Sequence, residues 1–449
     1  TMEAGCEVLA AGGNAYDAAI AAFFTSCVAE PVLSSLGGGG FLLSQTAAGQ
    51  HQLFDFFVQT PCCKQSFETI DFKPIWADFG ATRQEFHIGL GAIATPGAVK
   101  GMFEVHREFG SIPMTELVQP AIAAARTGIR LNALQAYIFR IVSPILSASD
   151  EVASAFSGND SGNLIGEGEL FRMPELADTL EMLAAEGDAL FYQGEMGQLI
   201  ATQCSDGGGH LRRNDLESYQ VIRQHPLQIN YRDSQIVTNP PPSSGGILIA
   251  FALRLWQQVC DSSVAPDSIK YGSLAHLQLL TQVMAMSNQA RIEAHIDDTI
   301  GHPSVDVLLD EKLLDRYRDS IIGRSKAHRG TTHISVIDRW KNVATLTVSN
   351  GEGCGRMVPG TGIMLNNMLG EEDLNPHGFQ QWQENQRMTS MMAPSVINQI
   401  GGGIVALGSG GSNRIRSAIL QTIINLTDFD KSLHDAVCLP RVHFENDLL

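Results

Sequence analysis

Residues 15–29, AYDAAIAAFFTSCVA, carry apolar side chains on nearly every side of the helix they are expected to form. Gly12 and Gly13 end a preceding helix, Asn14 can cap the new one, and Asp17 falls in its first turn, where a carboxylate favours the helix dipole. A helix without a polar face is buried on most sides. The chain must therefore build layers, with this helix between them.

The rest of the pattern supplies those layers. SSLGGGGFLLSQ turns sharply into a strand, with HQLFDFFVQTP as its neighbour. From about residue 98 to 320 the chain reads mostly helical, with apolar residues three and four apart in PGAVKGMFEVHREFG, ELVQPAIAAARTG, PELADTLEMLAAEG, GGILIAFALRLWQQV and LAHLQLLTQVMAMSNQARIEAH. At Thr331 the character changes. Ile334, Val336, Val343, Thr345 and Thr347 fall at period two, and the polar Arg339–Asn342 stretch breaks the run as a turn would, so Thr331 lies where a strand begins. Taken alone this is an ordinary hairpin edge, because threonine suits a pleated surface. A glycine- and asparagine-rich loop follows, then strand, turn, strand, loop and a helix starting near Arg414. Strands from both halves with helices outside them imply a layered α/β sandwich, one intertwined unit without repeats.

The chain has 449 residues, 44% hydrophobic and 17% charged, enough for a large core. Its net charge of −18 opposes binding to a nucleic-acid backbone or an anionic membrane, so a small-molecule partner fits better. The longest apolar stretch is interrupted by Asp17 and Glu30 and is too short to span a bilayer. The eight cysteines include no C-x-x-C pair, and the adjacent Cys62 and Cys63 read as free thiols, a weak pointer to a reducing compartment. No leader is visible ahead of the opening helix, which leaves the cytoplasm and the periplasm both open.

Gly37–Gly40 has no following Gly-Lys-Ser/Thr and opens no helix, so close backbone packing is expected there rather than a phosphate cradle. Glu293, His295, Asp297, Asp298 and His302 match no metal-ligand spacing and read as a polar helix end; neither a metal nor a cofactor is expected. No G-x-S-x-G elbow occurs. In LGSGGSNRIRS, Gly408–Ser412 between a strand and a helix would turn backbone N–H groups outward, a geometry suited to an oxyanion, although taken alone a plain strand-to-helix turn is the first reading.

GGNAYDAAIAA, EPVLSSLGGGGFLL, ATPGAVKGMFEVHREFGSIPMTELVQPAIAAARTGI, NPPPSSGGI, GTTHISVIDRWKNVATLTVSN, PGTGIMLNN and GSGGSNRI together resemble the gamma-glutamyltransferase (glutathione hydrolase) family across almost the whole chain. The family consists of N-terminal nucleophile hydrolases, so the resemblance implies a four-layer αββα sandwich. It also implies a precursor that cuts itself between Gly330 and Thr331 into a large chain, 1–330, and a small chain, 331–449, which stay associated in one intertwined domain. Thr331 would be the nucleophile, and its freed α-amine, with an ordinary pKa of about 7.7–8.0, the base. Gly411 and Ser412 stand where the family has its oxyanion donors, and Ser349 where a hydroxyl positions the amine. The acyl-enzyme would pass to water or to an acceptor amine.

The departures concern specificity. Phe57 stands where the family clamps a substrate carboxylate with arginine, and a ring cannot replace a bidentate guanidinium. Met368 and Glu371 follow LNN where the family has a glutamine or glutamate and an aspartate. Ser390 is followed by Met391 instead of a second serine, and Gly351, beside Asn350, replaces an asparagine. The loop after Glu371 is too short for the lid of some members, and a C-terminal strand region is expected beyond RVHFENDLL. The substrate class implied is a gamma-glutamyl amide such as glutathione or another small amide or peptide. The alternatives are a cephalosporin-acylase-like or other acyl amide, or a non-catalytic binding homologue; a homodimer is compatible with either.

Overall fold

A computed structural model of the chain describes residues 1–78, 83–158, 162–262, 269–294, 331–445 and positions 309, 314 and 317. The chain divides into two compact units, and each draws on both sides of position 330: Thr1–Gln50, Phe54–Arg223 and Gly330–Met388 in the first, His51–Leu53, Gln224–Arg329 and Thr389–Leu449 in the second.

The first unit is built on a five-stranded sheet. Its strands run in the spatial order Thr332–Ile337, Val343–Ser349, Gly39–Gln45, His51–Phe56 and Ile222–Gln224. The Ala15–Ala29 helix packs on the first two of these strands. It starts where the sequence places it, because Asn14 Oδ1 accepts from Tyr16 N (2.8 Å) and Asp17 N (3.0 Å) while Asp17 Oδ2 accepts from Asn14 N (3.0 Å). Every residue from Ala15 to Val28 is buried. The helices Ala98–Phe109 and Gln119–Thr127 cover its other sides, and each of Ile20, Phe23, Phe24 and Val28 adds about 1.5–3 kcal/mol of burial to this layer.

The glycine run explains how the sheet closes around this helix. A Cβ on Gly38 would stand 2.2 Å from the Ser349 carbonyl oxygen, and one on Gly40 would stand 2.2 Å from that of Thr347. Close backbone packing is therefore what these glycines provide.

The second unit holds a four-stranded antiparallel sheet ordered Ile404–Leu407, Ser395–Gln399, Ser234–Thr238 and Leu227–Tyr231. The Ser244–Ser262 helix packs on this sheet and against the helices Leu274–Glu293 and Arg414–Thr427. The largest sheet of each unit is thus covered by helices of that unit. Among the described residues no helix is long and apolar enough to cross a membrane.

Candidate active site

The hairpin register decides which threonine is presented. Thr332 pairs with Val348, His333 with Thr347 and Ser335 with Thr345, while Ser349 pairs on its other side with Gly39. Carried one residue further, the register puts Thr331 opposite Ser349. Thr332 Oγ1 donates to Glu30 Oε2 (2.8 Å) at the end of the Ala15–Ala29 helix, so Thr332 faces the helical layer. Successive side chains alternate, which gives Thr331, His333 and Ser335 the opposite face.

That face is lined with hydroxyls. His333 Nδ1 lies 2.9 Å from Thr347 Oγ1 and its Nε2 lies 2.8 Å from Ser335 Oγ, which is 3.1 Å from Thr345 Oγ1. Burial drives the His333 pKa down to about 4, so the imidazole is neutral at pH 7. Ser349 is buried, and its Oγ accepts from Gly351 N at 3.0 Å.

Beyond Ser349 the chain folds into a turn around two carboxylates. Gly351 has φ +64°, and a Cβ there would fall 2.1 Å from Glu371 Oε1 and 2.2 Å from Asn367 Oδ1. Asn367 Oδ1 accepts from Glu352 N (2.8 Å) and Gly353 N (3.2 Å), and Asn366 joins Gly37 to Ala94 through its amide. Glu371 pairs with Phe86 of the Arg83–Ile88 strand, and its Oε1 is buried with no hydrogen-bond partner. Burial, and to a lesser degree Asp373, pushes its pKa up to about 8. Glu352 is buried too, and burial together with Glu371 holds its carboxyl well above the ordinary range. Asn350 donates from Nδ2 to the Met364 carbonyl (3.3 Å) and leaves a buried Oδ1 unpaired. Met368 is fully buried in the short helix Met368–Gly370.

Phe57 and Arg387 lie together in the same unit. The Phe57 ring stacks on Phe41 at 5.5 Å and is fully buried, and the Phe57 carbonyl accepts from Tyr219 Oη (2.7 Å) and from the Arg387 guanidinium. Arg387 also reaches Tyr219 Oη (2.5 Å), the Gln220 carbonyl (2.6 Å) and Asp55 Oδ1 (3.4 Å). Its guanidinium is committed to this buried network.

The second unit holds the remaining candidates. The Ser390 carbonyl accepts from Ser244 N (2.9 Å) and Gly245 N (3.2 Å) at the start of the Ser244–Ser262 helix, and Ser390 Oγ accepts from Met392 N (3.1 Å); Met391 between them is buried. Gly411 (φ +122°) and Ser412 (φ +50°) shape the loop, and their carbonyls accept from Arg414 N and Ile415 N, both at 3.0 Å, to begin the Arg414–Thr427 helix.

Among the described residues no group of three or more His, Cys, Asp or Glu side chains could hold a metal ion. Glu293 ends its helix as the sequence implies. His295, Asp297, Asp298, His302 and Gly330 lie outside the described residues. Sequence reasoning passed over Glu30, Glu352, Asn366 and Asn367. The asparagines stand in a quoted motif, but what Asn366 bridges is hundreds of residues away in the chain, and neither the Asn367 grip on the Glu352–Gly353 turn nor the burial of Glu352 carries a local signal.

A family model for gamma-glutamyltranspeptidase matches residues 1–448. The Acylase ACY 1 proenzyme of Pseudomonas sp. (strain V22) is 30% identical over 99% of this chain and 81% of its own length. The glutathione hydrolase proenzyme of Pseudomonas aeruginosa is 28% identical over 98% of this chain and 80% of its own. In structure, the chain superposes on cephalosporin acylase from Bacillus halodurans with a TM-score of 0.82 at 23% identity, covering 98% of this chain and 81% of that one, which establishes a shared fold.

Proposed function

Because the chain belongs to the gamma-glutamyltranspeptidase family of N-terminal nucleophile hydrolases, we propose that it is a self-processing amidohydrolase whose nucleophile is Thr331. The observation that carries this reading is the hairpin register: Thr332 is turned to Glu30 and the helical layer, while Thr331, at the strand start, shares its face with Ser349. Cleavage before Thr331 would free an α-amine on the nucleophilic residue itself. The amine takes the hydroxyl proton as Oγ1 attacks the amide carbonyl, the leaving amine departs with that proton, and water or an acceptor amine resolves the ester. Gly411 and Ser412 would supply the oxyanion donors from the loop before the Arg414–Thr427 helix.

The substrate is an acyl amide without an α-carboxylate, in preference to a gamma-glutamyl compound. Two observations favour this: the Phe57 ring occupies the aromatic core, and the Arg387 guanidinium is already engaged by Asp55, Tyr219 and two backbone carbonyls. A desolvated substrate carboxylate without a partner would cost several kcal/mol. Strong preference for gamma-glutamyl anilide over an anilide lacking the carboxylate would refute the specificity and leave gamma-glutamyl hydrolysis standing.

Intact-mass measurement tests the reaction class. Purified protein should appear as two fragments that divide between Gly330 and Thr331 and co-purify, and Thr331→Ala should abolish both cleavage and activity. Cleavage of the Thr331→Ala protein at this bond would refute the nucleophile. A wild-type chain that never divides would mark a non-catalytic binding homologue.

A further inference from the structure

Resting on the assignment of Gly411 and Ser412 as oxyanion donors, we propose that Arg416 is a positioning residue that fixes their loop. Glu445 and His443 hold Arg416 and its neighbour Ser417 for that task.

The loop needs holding. Ser412 sits in the left-handed region at φ +50°, a conformation that a serine keeps only where its surroundings impose it. Four successive carbonyls, from Gly411 to Arg414, are tied down by the first turn of the Arg414–Thr427 helix. Those of Gly411 and Ser412 accept from backbone, Arg414 N and Ile415 N. Those of Asn413 and Arg414 accept from side chains, Arg416 Nε (3.2 Å) and Ser417 Oγ (3.1 Å).

Both side chains are gripped from outside the helix. Arg416 Nη2 donates to Asn288 Oδ1 (2.5 Å) on the Leu274–Glu293 helix and to Glu445 Oε1 (2.8 Å), which Arg291 also approaches at 3.4 Å. His443 closes the network: its Nδ1 lies 2.6 Å from Ser417 Oγ and its Nε2 lies 3.2 Å from Glu445 Oε2. Gln421 fastens the same segment to the helix, donating to the Val442 carbonyl (2.7 Å) and accepting from Val442 N (3.0 Å).

Helix stability does not explain an arginine here. A cation in the first turn opposes the helix dipole, and burying it adds a desolvation cost. The Arg416 and Glu445 side chains are only 8% and 5% exposed, and Leu248, Ile249, Met284, Leu420 and Phe444 wall the cavity beside them. In such surroundings charge-assisted hydrogen bonds are strong and directional. The planar guanidinium holds Asn413, Asn288 and Glu445 at fixed angles, which a lysine cannot do. Oxyanion donors speed a reaction only when they already stand where the negative charge will form. A loosened loop therefore slows the chemical step and leaves ground-state binding unchanged.

The test uses the full, processed protein, with processing checked by intact mass, and pentanoyl and gamma-glutamyl p-nitroanilides as substrates. Arg416→Lys keeps the charge without the fork. It should lose about 10- to 100-fold in kcat, the range for misplacing a group by about 1 Å, with KM within about threefold. Arg416→Met strands Glu445 and loses stability as well. In the double variant Arg416→Met, Glu445→Gln no charge of this pair is left unpaired, so its Tm should return towards that of wild type while kcat stays low. A merely structural ion pair would restore both.

Wild-type kcat in Arg416→Lys or in the folded double variant overturns the proposal, as does a loss confined to KM. Where the double variant does not fold, Arg416→Lys decides by itself. Ser412→Pro separates the proposal from its premise. If Ser412→Pro is slow and Arg416→Lys is normal, the oxyanion reading stands and the role of Arg416 is refuted. If Ser412→Pro turns over normally, the oxyanion reading fails and the role of Arg416 fails with it.

Discussion

Replacing Gly351 by alanine puts the geometry of the acidic turn to a quantitative test. At φ +64° an alanine is held in the left-handed region, which costs about 1–2 kcal/mol. Its Cβ would stand 2.1 Å from Glu371 Oε1 and 2.2 Å from Asn367 Oδ1, so both must move. The Glu371 carboxylate can swing aside. Asn367 cannot do so without releasing Glu352 N and Gly353 N, and each buried donor left unpaired costs about 1–3 kcal/mol. The loss should therefore reach about 3–8 kcal/mol, a large share of the 5–15 kcal/mol typical of a folded domain. Gly360→Ala is the control, because Gly360 has φ +69° but nothing within 4 Å of its would-be Cβ, leaving only the conformational cost. Urea unfolding of both variants, followed by tryptophan fluorescence, isolates the steric part as their difference. Equal losses would mean that Asn367 and Glu371 do not close over Gly351 in solution, and the description of the turn would fail.

Three further outcomes follow from other parts of the molecule. Arg387→Met strands Asp55 and should cost about 3–5 kcal/mol in urea unfolding, while the preference between anilides with and without an α-carboxylate stays as in wild type; a changed preference would mean Arg387 contacts substrate. Ser412→Gly suits φ +50° and should keep turnover within about threefold, whereas Ser412→Pro cannot adopt that angle and deletes an N–H, for a loss of roughly 10²–10³ or more in kcat; near-normal turnover by the proline variant removes this loop from the oxyanion site. With the His333 pKa depressed to about 4, the unfolded chain binds the extra proton first as pH falls, so stability should decline from about pH 6.5 to 4; this slope should flatten in His333→Gln, and an unchanged slope in urea titrations at several pH values assigns it to other groups.

What could be read from the sequence was local. Asn14 and Asp17 sit three residues apart and cap each other, so the buried helix was legible with its start, and the period-two run after Thr331 fixed the hairpin and its turn. The helix beginning at Arg414 was legible because glycine and serine precede it. Contacts between distant segments were not. Arg387 meets Asp55 across more than three hundred residues, and nothing in either stretch announces the partner. The division into two units, each combining residues from both sides of position 330, is likewise set by long-range pairing and not by any linker. Phe57 shows in the sequence only as a missing arginine; that its ring stacks on Phe41 depends on the strand pairing.

The central strand of the first sheet has a consequence for synthesis. Gly39–Gln45 pairs residue by residue with Val343–Ser349, so one edge of an early strand must wait for about 300 further residues to leave the ribosome. At ordinary elongation rates of about 5–20 residues per second, that interval is roughly 15–60 s. Throughout it Phe41, Leu42 and Leu43 belong to an open, apolar edge, the kind that recruits foreign strands. The yield of soluble protein should therefore depend on translation speed and on chaperones that shield this segment, more than on the stability of the finished fold.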